Sequence, residues 1–223
     1  MRILRTQERA GVILPSVSLK AIVVGAATLL CSFCAQAQSA DRPVWRIGDA
    51  WTYRSMVLPS YEAPTTTTTT QYEIRVGSVN ATHCLLERTQ ASAGAATNQR
   101  WSLDINRLSR IRSTDQWQEF RRYQWPLAQG KTWDAPYEGA DVDTSWSVSV
   151  QGWEDVTVPA GTFRAIRIDL KRTDSGGRRT VKQEALWYAP AVKRHVRLEE
   201  HEYVAGYHMK HTMEELVRFV AAE

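Results

Sequence analysis

Cysteine is scarce in this 223-residue chain: Cys31, Cys34 and Cys84 are all it has. A disulfide-dense scaffold is thereby excluded. Charge of one sign is also lacking, with 28 basic residues against 24 acidic ones. Charged residues make up 23% and hydrophobic ones 43%, which excludes a fully disordered chain. Long apolar runs are missing too. The best one, Ala21–Phe33, has 13 residues, short of the roughly 20 a spanning helix needs. Helical periodicity is nearly absent. No Gly-x-Ser-x-Gly occurs, so no nucleophile elbow is present. Gly176-Gly177-Arg178-Arg179 lacks the spacing of a phosphate loop.

What is there begins with an export signal. Arg2, Arg5, Arg9 and Lys20 form a basic n-region, Ala21–Phe33 is the h-region, and Ala35-Gln36-Ala37 places a cut before Gln38. Residues 1–37 are therefore expected to be a cleavable signal peptide and 38–223 the mature domain, periplasmic or secreted. Lipid attachment is the poorer alternative, because Cys31 follows Leu30 and Cys34 follows Phe33, not a small residue. Cleavage removes four basic residues and Glu8, leaving 24 basic residues against 23 acidic ones. With no basic run interleaved with aromatics, no nucleic acid partner is expected. No membrane span is expected after cleavage. Cys84 is left alone and reads as a buried structural thiol.

Alternation with period two dominates the mature chain. Val142–Val150, Ile166–Leu170, Tyr72–Val76 and Trp101–Ile105 each present one apolar and one polar face, and Val192–Leu198 does so less cleanly. Asp174–Gly177, Pro159–Gly161, Ala205-Gly206, Ala91–Asn98 and Leu127–Thr132 read as turns or loops. Glu215, Val217 and Phe219 alternate, so Met213–Val220 is expected to be a final strand. The fold class that follows is all-β: a single domain of roughly ten antiparallel strands in a strongly curved sheet, an open or partial barrel.

All nine Trp and all eight Tyr lie after the signal. They read either as core and corner fillers or as a concave aromatic pocket. On the second reading the candidate binding residues are Trp125, Trp133, Trp146, Trp153 and Tyr188. On alternation through Val181–Tyr188, Trp187 is expected inward with Val181 and Ala185, and Tyr188 on the opposite face.

Residues for other chemistry do not assemble into a motif. Of the five histidines, His201 and His208 can pair across a hairpin at Ala205-Gly206; two ligands fall short of the usual three or four of a metal site. The pairs Asp141/Asp143, Glu154/Asp155 and Glu199/Glu200 are ordinary for a strand-rich surface. Asn80-Ala81-Thr82 matches a glycosylation acceptor. No catalytic residue, metal or cofactor is expected.

Four segments resemble a known group: Trp45–Tyr53, Trp125–Trp133, Glu154–Ile166 with its Val158-Pro159-Ala160-Gly161-Thr162-Phe163, and Leu186-Trp187-Tyr188-Ala189-Pro190. In this order they are similar to the TapB-like group of exported bacterial proteins, close to the domain of unknown function numbered 3108. The resemblance implies a curved antiparallel envelope domain and no reaction. After Trp-Tyr-Ala-Pro the family often continues with a Gly-containing turn, where this chain has Ala191-Val192-Lys193-Arg194. The function expected is a non-catalytic binding or envelope accessory module for an apolar small molecule, lipid or peptide. The alternatives are glycan or cell-wall recognition, and an unrecognised hydrolase.

Overall fold

A computed structural model describes residues 39–60, 67–90, 96–110, 117–137, 144–174 and 180–223, all within one compact unit, Ala35–Glu223. The signal segment 1–37, the pair Asp141/Asp143 and the Gly176-Gly177 turn lie outside the described residues. The strands are β1 (Ala50–Leu58), β2 (Thr68–Val79), β3 (His83–Gln90), β4 (Ala96–Ser102), β5 (Arg107–Arg110), β6 (Trp117–Phe120), β7 (Thr132–Tyr137), β8 (Thr144–Val158), β9 (Gly161–Asp174), β10 (Thr180–Ala189), β11 (Arg194–Val204) and β12 (Tyr207–Val220). A 3-10 turn, Pro190–Val192, joins β10 to β11. No helix among the described residues is long and apolar enough to cross a membrane.

All twelve strands form one antiparallel sheet in the order β6-β5-β4-β3-β2-β1-β12-β11-β10-β9-β8-β7, a nearly closed barrel. Every neighbour is next in sequence except one: β1 pairs with β12 and joins the two halves of the sheet at its middle. The open seam lies between β6 and β7, which are among the shortest strands, with four and six residues. Short edges resist pairing with another chain, and Pro136 on β7 removes one ladder donor.

The sheet bends around a floor of aromatic residues at one end. Trp51 and Tyr53 on β1 are fully buried. Trp45, just before β1, packs on Trp51 with ring centroids 5.9 Å apart. Asp49, fully buried, accepts from the Arg46 and Ala222 amides and from Lys193 Nζ at 2.7 Å. These bonds clamp the first described segment to the C-terminus. The β6–β7 connection covers the seam: Leu127 bonds Ala40 in both directions at 2.8 Å, and Trp133 Nε1 donates to the Arg121 carbonyl.

Turn chemistry follows the residues. Ala205 and Gly206 both take positive φ, 51° and 87°, the pattern of a two-residue hairpin that follows the strand twist. Lys193 takes φ 61°, in the left-handed region that favours glycine; its ion pair with Asp49 helps hold it there. Asn80 Oδ1 accepts from the amides of Thr82 and His83, so the Asn-Ala-Thr match is a turn between β2 and β3.

Three expectations are corrected. Trp101–Ile105 is not one strand. It ends at Ser102, turns, and places Ile105 at φ 59° with its side chain buried; the Ser102 amide donates to the Asn106 carbonyl and closes the turn. Ala96–Asn98 belongs to β4, not to a loop. On β10 the inward face is the other one. Glu184, Leu186 and Tyr188 point inside, in register with Leu170, Ile168 and Ile166 of β9. Alternation alone favoured the less charged face, but Glu184 is neutralised inside by Arg122 at 2.8 Å. Trp187 is buried all the same, at 7% exposure, because Arg167 and Arg197 lie over its ring and its Nε1 donates to Glu154.

The two neighbours therefore test the face assignment. Tyr188→Ala is expected to destabilise by about 3–5 kcal/mol, at least as much as Trp187→Ala, since Tyr188 has no exposed surface. Tyr188→Phe should melt no lower than the parent, because the Tyr188 hydroxyl is buried without a hydrogen bond among the described residues. Thermal melts decide it; a much milder Tyr188→Ala would restore the sequence-based face.

Candidate functional site

Above the aromatic floor the interior changes character. On β11, Arg194, His195 and Val196 are buried in succession, which a regular strand does not allow. The cause is a bulge. Trp187 pairs with Arg197 and Tyr188 with His195, so Val196 is the extra residue. The bulge turns Arg194 and His195 inward and explains why Val192–Leu198 alternates so poorly in sequence.

Arg194 is 5% exposed. Its guanidinium carbon sits 5.7, 5.2 and 5.5 Å from the rings of Trp45, Trp51 and Trp101. The Tyr53 hydroxyl, on which the Arg194 charge acts, donates to the His195 carbonyl. Arg88 on β3 lies over the Tyr72 ring at 3.9 Å. Arg122, from the seam segment, pairs with Glu184. Together with the exposed Arg107, these arginines line an interior cavity of about 150 Å³ that also includes His195 and Glu214.

Burial depresses the His195 pKa to about 4, against the pull of Glu214. Its Nε2 stands 3.7 Å from Glu214 Oε2, too long for a hydrogen bond. Burial pushes Glu214 upward, but His195, the Tyr72 hydroxyl and Arg88 outweigh it and hold the carboxyl below its ordinary range. Glu184 is raised by burial in spite of Arg122. The sign for His195 is clear. Between its unfolded value near 6.5 and about 4, the unfolded chain takes a proton that the native chain refuses. Stability contributed by neutral His195 is present above about pH 6.5 and is lost as pH falls toward 4, by about 3 kcal/mol in all. Denaturant melts of the parent and of His195→Gln across pH 7 to 4 should show a shallower acid loss in the variant; parallel curves would contradict this.

The five predicted binding residues take several places. Trp125 and Tyr188 meet edge to face at 5.0 Å, with Tyr123 stacked on Trp125 at 5.3 Å. Trp146 packs on Phe120. Trp133 and Trp153 lie half-buried against the core. The two meeting rings and the other three do not form a single cluster, and none of the five lines the arginine cavity. The cavity's own residues were missed because arginine in an alternating strand reads as a solvent-facing residue. The one signal available was the broken alternation at Val192–Leu198.

Outside the barrel, the outward side chains of β7–β11 form a polar trough of about 760 Å³ that includes Ser147, Ser149, Asp169, Lys171, Gln183 and His201. At its edge His201 Nδ1 lies 3.1 Å from His208 Nε2, and His211 stacks on His201 at 4.1 Å. The cross-hairpin meeting of His201 and His208 is thus present, but among the described residues no set of three His, Cys, Asp or Glu is placed to hold a metal ion. Glu154 and Asp155 are exposed on β8, and Glu199 and Glu200 face opposite sides of β11. Cys84 is buried beside the Trp101 carbonyl, and burial pushes its thiol up to about 12.

No protein-family model and no curated protein matches the chain. Solved structures of similar backbone exist. One is from Bacteroides fragilis, described as an exported protein with a YmcC-like fold; it is 17% identical, covers 82% of this chain and 100% of its own, and gives a TM-score of 0.46. A second, described as a lipoprotein of Parabacteroides distasonis, is 10% identical with the same coverages and a TM-score of 0.49. A third, the hypothetical lipoprotein YmcC of Escherichia coli, is 13% identical, covers 76% of this chain and 86% of its own, with a TM-score of 0.37.

Proposed function

We propose that the chain is an exported, non-catalytic binding module that holds a small polar ligand inside the barrel. The observation that supports it is the interior cavity bounded by Arg88, Arg122, Arg194 and His195, in a place where a purely structural core would be apolar. Export rests on the signal pattern of residues 1–37, and the envelope setting on the resemblance to the TapB-like group. Of the ligand classes open from sequence, apolar and glycan-like, the lining favours the polar one. The candidate aromatic rings are packed in or against the core, Trp133 also lining the outer trough, and the interior cavity is lined by four arginines together with Glu214, Trp101, Ile74 and Leu198.

A second reading has its own observation. The outer trough is of a size typical for small-molecule sites and carries serines, acids, a lysine and an amide suited to hydroxyl groups. It would make the same module a glycan reader on its outer face. Native mass spectrometry of freshly purified protein, followed by a glycan array, separates these readings. A retained small polar ligand or an array hit weakened by Arg194→Gln supports the interior site. A hit weakened by Asp169→Ala alone moves the site outside. No ligand in either assay removes the binding-module reading.

A further inference from the structure

We propose that the interior cavity binds an oxyanion, the carboxylate or phosphate group of its ligand, between Arg88, Arg122 and Arg194. This deepens the binding-module reading and rests on it.

The first ground is unspent donors. A guanidinium carries five N–H groups and no acceptor. Nε and Nη1 of Arg194, Nε of Arg122 and Nε of Arg88 are buried with no hydrogen-bond partner among the described residues. The three tryptophan rings around Arg194 attract its charge, yet its Nε and Nη1 find no oxygen acceptor there. A carboxylate or phosphate matches this fork, often with two parallel bonds.

The second ground is charge. Four arginines line the cavity, and among the described residues Glu214 is the acid in its lining, while Glu184 close by is taken by Arg122. Glu214 stands 3.7 Å from His195 Nε2, and the Arg88 charge acts on it. His195 adds no balancing charge, being neutral near pH 7. Farther along the same inner face Lys182 sits between Glu200 and Glu202, which leaves one carboxylate in excess there, but among the described residues neither pairs with Arg194. Buried charges persist in proteins when they are paired, and an oxyanion supplies the missing partner. The volume, about 150 Å³, is the bulk share of roughly five waters. It holds a phosphate or the acidic end of a sugar acid. Arg107, exposed at the rim, provides a cation on the way in.

The test is calorimetric titration and thermal shift of the protein purified from full-length expression, with inorganic phosphate, glucuronate and neutral glucose as probes. Phosphate or glucuronate is expected to bind and to raise the melting temperature by mass action. Arg194→Gln and Arg107→Gln should each weaken binding by about tenfold or more, while Arg164→Gln, on the exposed outer surface, should not. Arg107→Gln keeps the test open should Arg194→Gln fail to fold. Phosphate without glucuronate names a phosphate ligand, and the reverse a carboxylate; either supports the site. Glucose binding as tightly as glucuronate would overturn the oxyanion while leaving the binding module standing. No binding of either anion, or equal binding in all variants, would overturn the proposal.

Discussion

Trp51→Ala is expected to leave little folded protein. Trp51 has no exposed surface, stacks on Phe219 at 5.7 Å, packs on Trp45 and donates from Nε1 to the Val192 carbonyl at 2.6 Å. Those contacts join β1 to β12 and to the turn before β11, which is where the two halves of the sheet meet. Truncating a core tryptophan costs about 3–5 kcal/mol. Here the Val192 carbonyl also loses its donor, and Arg194 loses one wall of its cage. Against a typical domain stability of about 5–15 kcal/mol, the loss is large enough to deplete the native state. Chemical denaturation followed by Trp fluorescence measures it. A loss below about 1 kcal/mol would mean that the floor is not where the barrel is held together.

The second large effect concerns Arg122 and Glu184. They meet at 2.8 Å with side chains 15% and 6% exposed. Removing one partner of a buried pair leaves the other charge uncompensated, at a cost of about 3–5 kcal/mol. Arg122→Met is therefore expected to be strongly destabilising near pH 7. Its penalty should shrink at lower pH, because burial already raises the Glu184 carboxyl and without Arg122 it takes a proton more readily. Arg122→Met combined with Glu184→Leu should recover most of the loss, since both charges are then gone. Denaturation midpoints for the singles and the double complete the cycle. A double variant as unstable as Arg122→Met alone would show that Arg122 acts through something other than Glu184.

The strand content of the chain was open to reading because half-buried strands write themselves as alternation. Ile166, Ile168 and Leu170 point inward, Arg167, Asp169 and Lys171 outward, as the sequence alternates. Ala205-Gly206 and Pro159–Gly161 turn the chain where their conformational freedom allows. The short strands β5 and β6 were not legible: four residues carry too little periodicity. The face of β10 was misread because a buried carboxylate looks like a surface residue until its partner 62 positions away is known. The same limit hid the candidate site. Arg88, Arg122 and Arg194 come from three distant segments, and a bulge, not a motif, turns one of them inward. The aromatic candidates were visible because tryptophan is rare and bulky, and those traits suit a core as well as a pocket.

A crystal structure of the protein grown with and without phosphate tests the central claim most directly. Tetrahedral density is expected between Arg88, Arg122 and Arg194, within hydrogen-bond distance of Arg194 Nε or Nη1. A cavity without such density, with Arg194 paired instead to a carboxylate of the chain itself, would contradict it.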